Sequence, residues 1–86
     1  MEIQYTKNFI KQFNKCPSQI QTAFQKRLEI FIKNKNYPIL RNHRLTGLLK
    51  DYKSINITGD WRALYRECGE NKVCFMIIGT HSQLYN

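Results

Sequence analysis

The hydrophobic pattern of this chain changes its period once, and that change constrains the fold more than any other feature. From about 18 to 35, apolar residues recur at steps of three and four, the spacing of one helix face: Ile20, Ala23, Phe24, Leu28 and Phe31. From 53 to 78, apolar residues instead alternate with polar ones or form short runs between turn residues, as in strands. The sequence therefore predicts an α+β protein whose helices precede most of its sheet.

The amino-terminal part predicts one strand followed by two helices. Met1 to Tyr5 alternates as a short strand does, and Thr6 can cap a helix that runs to about Lys15. Pro17 breaks that helix and allows a second one to begin at Ser18. We expect the two helices to form a hairpin joined by an aromatic stripe.

Three strands are predicted after a connector at 39 to 50. They cover 53–58, 61–66 and 72–78, and Gly69-Glu70-Asn71 forms the last turn. Short turns between neighbouring strands imply an antiparallel sheet. Because the helical hairpin must bury its stripe, it should cover one sheet face, giving a single two-layer domain over 1–86 with the opposite face open. That open face could hold a substrate.

Charge and cysteine usage limit the classes of partner. Fourteen Lys and Arg against six Asp and Glu give a net charge of +8, spread along the whole chain, which favours nucleic acid or an acidic protein as partner. The longest apolar run, Val73 to Ile78, is too short for a membrane span. Cys16, Cys68 and Cys74 fit no metal or redox spacing. We expect a soluble, cytoplasmic protein with reduced thiols, no metal site, no cofactor and no membrane partner.

Both histidines of the chain lie in its second half, in polar surroundings. Imidazole can give or take a proton near neutrality, since its unperturbed pKa is about 6.5. A small basic protein that carries His43 and His81 in such settings is suited to proton transfer on an anionic substrate, and RNA is the substrate we would test.

Three motifs together carry a resemblance to a known family. They are Asn42-His43-Arg44-Leu45-Thr46-Gly47, Gly59-Asp60-Trp61 and Gly79-Thr80-His81-Ser82-Gln83-Leu84-Tyr85. In these motifs and in the order of its elements, the whole chain resembles the YafQ-like branch of the RelE/ParE toxin superfamily. The resemblance implies a RelE-like fold and a toxin of a type II toxin–antitoxin pair. Such a toxin is a metal-independent endoribonuclease that cuts messenger RNA in the ribosomal A site and is neutralised by a small antitoxin protein.

The resemblance also implies which residues act. His43, Asp60 and His81 correspond to the family's active residues, and Tyr85 stands at its terminal aromatic position. Two positions depart from the family pattern. Asn56 stands where the family typically has a histidine, and Arg62 follows Asp-Trp where YafQ-like proteins often carry an aliphatic residue.

The chemistry of RNA cleavage suggests roles for these residues. Attack by the 2′-hydroxyl needs a base, an acid for the departing 5′-oxygen, and positive charge for the phosphate. We expect His81 to be the acid, His43 or Asp60 the base, and Arg62 or Arg66 the phosphate ligand. Trp61 or Tyr85 could stack on an unpaired base, although Trp61 and Arg62 should point to opposite faces of their strand.

Structural alternatives remain open for each residue. His43 could cap the connector through a backbone hydrogen bond, Asp60 could serve a turn, and Tyr85 could pin the terminus to the sheet. Arg62 and Arg66 could line a solvated edge. An alternative function is binding without catalysis, either as a ParE-like poison of DNA gyrase or as a degenerate toxin. Asn56 favours that alternative, because an amide cannot shuttle a proton at neutral pH.

Overall fold

The computed structural model describes residues 1–85, which form three α-helices and a five-stranded sheet. The helices are α1 (Lys7–Asn14), α2 (Ser18–Lys33) and α3 (His81–Tyr85). The strands are β1 (Glu2–Tyr5), β2 (His43–Arg44), β3 (Lys53–Asn56), β4 (Trp61–Gly69) and β5 (Lys72–Thr80), and 3₁₀ turns cover Pro38–Leu40 and Gly47–Leu49. The prediction of an α+β fold with an amino-terminal strand and a helical hairpin is confirmed.

The sheet has the order β1-β5-β4-β3-β2. Strands β2 to β5 pair antiparallel, as predicted, and Gly69 pairs with Lys72 around the expected turn. β1 adds to the other edge of β5 in parallel, with Ile3 opposite Val73. The antiparallel prediction concerned the three later strands and did not include β1, whose parallel pairing is an addition to it. The pairing joins residues about 70 positions apart, and local alternation carries no information on it.

Side-chain hydrogen bonds fix both ends of the first helix. The Thr6 hydroxyl accepts from the Phe9 backbone N–H at 2.9 Å and donates to the Met76 carbonyl at 3.1 Å, so the predicted cap also ties α1 to β5. At the hairpin corner, the Gln21 amide donates to the carbonyls of Phe13 (2.9 Å) and Cys16 (3.3 Å). These bonds tie the end of α1 and the corner that follows it to the first turn of α2.

The core is an aromatic cluster centred on Phe75. Its ring lies 5.3 Å from that of Phe24 and 5.6 Å from that of Tyr65, and Phe9 and Phe31 pack around the same side chain. Phe75 is fully buried. The prediction that the aromatic stripe of the hairpin forms core is confirmed for Phe9, Phe24 and Phe31, which are buried together with the sheet's inner face, whereas Phe13 is half-buried at the border of the core.

Alternation along the strands sorts the side chains onto two faces. Ala63 pairs with Ile55 and Ile78 on the helix side, whereas Arg62 pairs with Asn56 and Gly79 on the other side. Trp61 packs against the core. The prediction that Trp61 and Arg62 point to opposite faces is confirmed.

The face opposite the hairpin is partly covered, which corrects the expectation that it lies open. Ser54 and Leu64 are fully buried on this face. Helix α3 folds back over it, and the Tyr85 hydroxyl donates to Ser54 Oγ at 3.3 Å. Five residues are too few for a helical period to show in the sequence. What stays open on this face is a cavity beside α3.

Two further findings concern the whole described chain. Within residues 1–85 no helix has the length and apolar character that crossing a bilayer needs. The three cysteines among these residues form no disulfide bond. Cys16 is buried, Cys74 is half-buried and Cys68 is exposed.

Candidate active site

An open cavity of about 490 Å³ lies on the face of the sheet opposite the helical hairpin. β2, β3, β4 and α3 surround it, together with the segment that leads into β2. A cavity of this size suits a small ligand or one nucleotide of a chain. Its lining consists of Arg41, His43, Leu45, Asn56, Arg62, His81 and Tyr85.

The cavity brings together most of the residues singled out from the sequence. His43, Asn56, Arg62, His81 and Tyr85 all line it, although they come from four separate elements. The other three, Asp60, Trp61 and Arg66, are not among its lining residues. The site thus combines two imidazoles with two guanidinium groups and an amide. In the described part of the chain, no three His, Cys, Asp or Glu side chains converge on a position for a metal ion.

His43 sits on the two-residue strand β2, opposite Ser54. Its ring is exposed, and Nδ1 lies 2.7 Å from the carbonyl oxygen of Arg41. The backbone hydrogen bond considered as a structural alternative is therefore present. It does not remove the residue from the cavity, since the imidazole has a second nitrogen.

The segment before β2 is held by hydrogen bonds from buried and half-buried polar side chains. The Tyr65 hydroxyl donates to Asn42 Oδ1 at 2.9 Å, and the Asn42 amide donates to the Lys35 carbonyl at 2.9 Å. Arg27 Nη1 donates to the carbonyls of Ile39 and Asn56, each at 3.0 Å, and so ties α2 to the segment before β2 and to β3, whose Asn56 lines the cavity. Sequence reasoning missed these anchors, because they act across the fold rather than within a motif.

Arg62 bridges the cavity and the β3–β4 turn. Its Nη1 donates to the carbonyls of Thr58 and Trp61 at 3.0 Å each, and Nη2 donates to the Gly59 carbonyl at 3.1 Å. The guanidinium has five N–H donors in all. It therefore stabilises the turn and keeps donors for a ligand in the cavity.

Helix α3 carries His81 and Tyr85 on successive turns. The rings of these two residues meet edge to face, with centroids 4.6 Å apart. Thr80 and Gln83 begin the helix with reciprocal bonds: the Gln83 N–H donates to Thr80 Oγ1 (3.2 Å) and the Thr80 N–H to Gln83 Oε1 (2.9 Å). This is a capping box, and Thr-x-x-Gln was the sequence signal that could have predicted α3.

Asp60 contributes to the site through its backbone. Its carbonyl accepts from the His81 N–H at 2.9 Å, which fixes the start of α3 against the β3–β4 turn. Its side chain is exposed. Arg66 lies on a second cavity of about 230 Å³, where Arg44, Lys50 and Lys53 outnumber the carboxylates of Asp51 and Glu67. There Lys53 donates to Glu67, and this bond and the nearby Lys35 charge hold the pKa of that carboxyl below its ordinary value.

Arg41 and Leu45 line the cavity without having been predicted. Arg41 adopts a left-handed backbone conformation, with φ of 47°. Its guanidinium is exposed, and no other residue in 1–85 forms a hydrogen bond or ion pair with it. The signal for Arg41 in the sequence was only its position two residues before His43.

Gly79 allows α3 to pack where it does, and replacing it should displace the helix. A Cβ at Gly79 would lie 3.0 Å from Gln83 Oε1 and 3.3 Å from Leu84 Cδ2, whereas Gly59 has open space for one. Because Gln83 is held by the capping box, we expect Gly79→Ala to destabilise the protein by about 1 kcal/mol and to weaken amide protection in α3. Hydrogen exchange with Gly59→Ala as the matched control checks this. Equal protection in both variants would contradict it.

Comparisons with known proteins bear on the whole chain. Residues 1–86 match the sequence model of a family described as the bacterial toxin of type II toxin–antitoxin systems, YafQ. No curated protein matches the chain's sequence.

Three solved structures show the same fold. A crystal structure of YafQ from E. coli strain BL21(DE3) has a TM-score of 0.82 at 19% identity, covering 99% of this chain and 98% of the other. A YoeB/ParE toxin from Agrobacterium tumefaciens has a TM-score of 0.77 at 15% identity, covering 94% of this chain and 99% of the other. The E. coli DinJ–YafQ complex gives 0.66 at 22%, covering 99% and 98%.

Proposed function

This chain belongs to the YafQ family of type II toxin–antitoxin toxins, and we propose that it is an endoribonuclease that cleaves messenger RNA on the ribosome without a metal. The observation that carries the proposal is the cavity in which two imidazoles and two guanidinium groups converge. Imidazoles exchange protons near neutral pH, and guanidinium forks match phosphate oxygens. The charged side chains of the cavity are thus cationic, which suits a phosphate and disfavours a metal ion.

The reaction proposed is attack by the RNA's own 2′-hydroxyl on the adjacent phosphorus. His43 accepts the hydroxyl proton as the new O–P bond forms. His81 gives a proton to the 5′-oxygen as the old O–P bond breaks, which leaves a 2′,3′-cyclic phosphate and a 5′-hydroxyl. Arg41 and the free donors of Arg62 stabilise the charge that builds on the phosphate oxygens.

The remaining lining residues are proposed to bind RNA. Tyr85 stands beside His81 and can present its ring to a base, while its hydroxyl stays on Ser54. Asn56 can donate and accept hydrogen bonds but cannot act as acid or base near neutrality. Arg66, on the second cavity, would contact the RNA backbone further along the bound strand. Asp60 as a catalytic residue stays a prediction, supported by the sequence motif alone.

The proposed partners follow from the family and the charge. The E. coli relative was crystallised with DinJ, and we propose that a small antitoxin likewise neutralises this chain. A net charge of +8 favours ribosomal RNA around the A site as the surface that receives the toxin. We further propose that the chain is a single toxin domain over 1–86 and that it acts in the cytoplasm, where ribosomes translate.

A binding toxin without catalysis is the second candidate. The observation that favours it is Asn56, since an amide occupies one wall of the cavity where the family typically has an imidazole. A ParE-like toxin would arrest growth by poisoning DNA gyrase, without cutting RNA. The two candidates therefore differ in a measurable product.

Inducible expression in bacteria tests the proposal. We expect wild type to arrest growth and to produce new messenger-RNA ends in phase with codons, mapped by primer extension. His81→Ala should lower cleavage by about 100-fold or more, because it removes the acid. Lys26→Ala, which removes an exposed charge on α2, is the control and should cleave as wild type does.

The other outcomes separate the candidates. Growth arrest without new RNA ends would reject the ribonuclease and favour a gyrase-directed or other binding toxin. Cleavage by His81→Ala at the wild-type rate would reject the assignment of the acid. An absence of arrest from all three proteins would favour a degenerate toxin.

A further inference from the structure

We infer that the backbone of Arg41 fixes the tautomer of His43, so that Nδ1 carries the hydrogen and Nε2 is the nitrogen that accepts a proton in the cavity. Arg41 is thus a positioning residue, in addition to any contact of its guanidinium with phosphate. The tautomer follows from geometry alone. Its use by a general base rests on the proposed ribonuclease function.

The first observation is the hydrogen bond between the two residues. Nδ1 of His43 lies 2.7 Å from the carbonyl oxygen of Arg41. A carbonyl oxygen has no hydrogen to donate, so the imidazole must be the donor. A neutral imidazole has one N–H, and placing it on Nδ1 leaves the lone pair on Nε2. His43 lines the cavity, which gives that lone pair access to a substrate.

The second observation is the conformation that directs this carbonyl. Arg41 has φ of 47° and ψ of 46°, in the left-handed region that residues other than Gly, Asn and Asp rarely adopt. It follows the 3₁₀ turn Pro38–Leu40, and its N–H donates to the Pro38 carbonyl at 3.1 Å. If Arg41 had an ordinary extended or right-handed helical conformation, its carbonyl group would not be directed at His43 Nδ1. The tautomer therefore depends on a conformation that a point substitution can change.

The surroundings of Arg41 hold this conformation from both sides. Leu40, the residue before it, is fully buried, and Arg27 bonds the Ile39 carbonyl. Asn42, the residue after it, is bonded by Tyr65 and bonds Lys35. Strained backbone of this kind persists where its neighbours determine it, and it clusters at functional sites.

The inference favours one of the two residues that the sequence left open as the base. With its lone pair on Nε2, His43 can accept the 2′-hydroxyl proton in the proposed reaction, which leaves His81 to act as the acid. Asp60 need not take a proton, in keeping with its exposed side chain and its backbone role at the start of α3.

Two substitutions of Arg41 separate its backbone from its side chain. Arg41→Gly removes the guanidinium but favours the left-handed conformation, whereas Arg41→Val removes it and disfavours that conformation. Asn71, in the β4–β5 turn, is the other non-glycine residue with positive φ in the described chain, at 54°. Asn71→Val therefore imposes a similar backbone strain away from His43 and serves as the control.

Long-range ¹H–¹⁵N correlation spectra of ¹⁵N-labelled protein at about pH 8.5, two units above the ordinary imidazole value, report the tautomer directly. We expect His43 to show the Nδ1–H pattern in wild type, Arg41→Gly and Asn71→Val, and to lose it in Arg41→Val. An Nε2–H pattern in wild type, or an unchanged Nδ1–H pattern in Arg41→Val, would overturn the inference. If Arg41→Val fails to fold, the wild-type and Arg41→Gly spectra still decide it.

Cleavage in a purified translation system links the tautomer to function. Both Arg41 variants lack the guanidinium, so a difference between their cleavage rates reports the effect of the Arg41 backbone conformation. We expect Arg41→Val to cleave about tenfold or more slowly than Arg41→Gly, and equal rates would overturn the positioning role. If wild type shows the Nδ1–H pattern but cuts no RNA, the proposed function fails and the assigned tautomer stands.

Discussion

Removing both imidazoles, with His43→Ala and His81→Ala in one chain, is expected to lower messenger-RNA cleavage by much less than the product of the two single losses. Each single replacement should cost about 100- to 10,000-fold, the range typical of a general acid or base. Because the two groups move protons in the same displacement, the loss of one removes most of what the other contributes. Primer extension or a labelled message on purified ribosomes measures all three variants.

A matched pair of variants makes this prediction specific. His43→Ala combined with Lys26→Ala joins a cavity residue to an exposed lysine on the hairpin, and its two effects should multiply. Circular dichroism should find the same fold in all variants, since both histidines are exposed. If the two histidine losses also multiply in full, the residues act in separate steps and the concerted assignment is wrong.

Replacing Phe75 with Ala is expected to cause the largest loss of stability, about 3–5 kcal/mol. Phe75 is fully buried and meets the rings of five aromatic residues: Tyr5, Phe9, Phe24, Phe31 and Tyr65. The free energy of unfolding of a small domain is only about 5–15 kcal/mol in total, so this variant should be partly unfolded at 37 °C. Urea titration followed by circular dichroism gives the change.

Phe13→Ala is the control for that measurement. It also removes a phenyl ring from the aromatic cluster, but Phe13 is only half-buried. Phe13 packs at the border of the cluster, against Phe9 and Phe24. We expect it to cost clearly less than Phe75→Ala. Equal losses would mean that the cluster does not centre on Phe75.

Local elements of the fold could be predicted because their signals are local. Helical spacing placed α1 and α2, alternation or short apolar runs between turns placed β3, β4 and β5, and Gly69-Glu70-Asn71 placed the last turn. The parallel pairing of β1 could not be predicted, since it is decided by which edge of β5 remains free once the helices have crossed the sheet. β2 and α3 have two and five residues, too few for a period to appear.

In the site, likewise, residues with distinctive side-chain chemistry could be predicted, whereas contacts that depend on the folded geometry could not. His43 and His81 could be selected because imidazole has a distinctive chemistry, and both line one cavity. Arg41 could not, because what it contributes to His43 is a carbonyl group, which every residue has. Likewise, no sequence pattern shows that Arg62 holds its own turn or that Asp60 bonds His81 through its backbone.

The parallel pairing of β1 with β5 has a consequence for the order in which the protein is made. Residues 2–5 pair with residues 72–75, so β1 cannot pair until about 70 further residues have been synthesised. This takes roughly 4–14 s at ordinary translation speeds. Phe75, the centre of the core, arrives at the end of that interval. His81 and Tyr85, which complete the cavity, follow later still. Until residues 72–85 have been added, the nascent polypeptide therefore has neither a closed core nor a complete cavity.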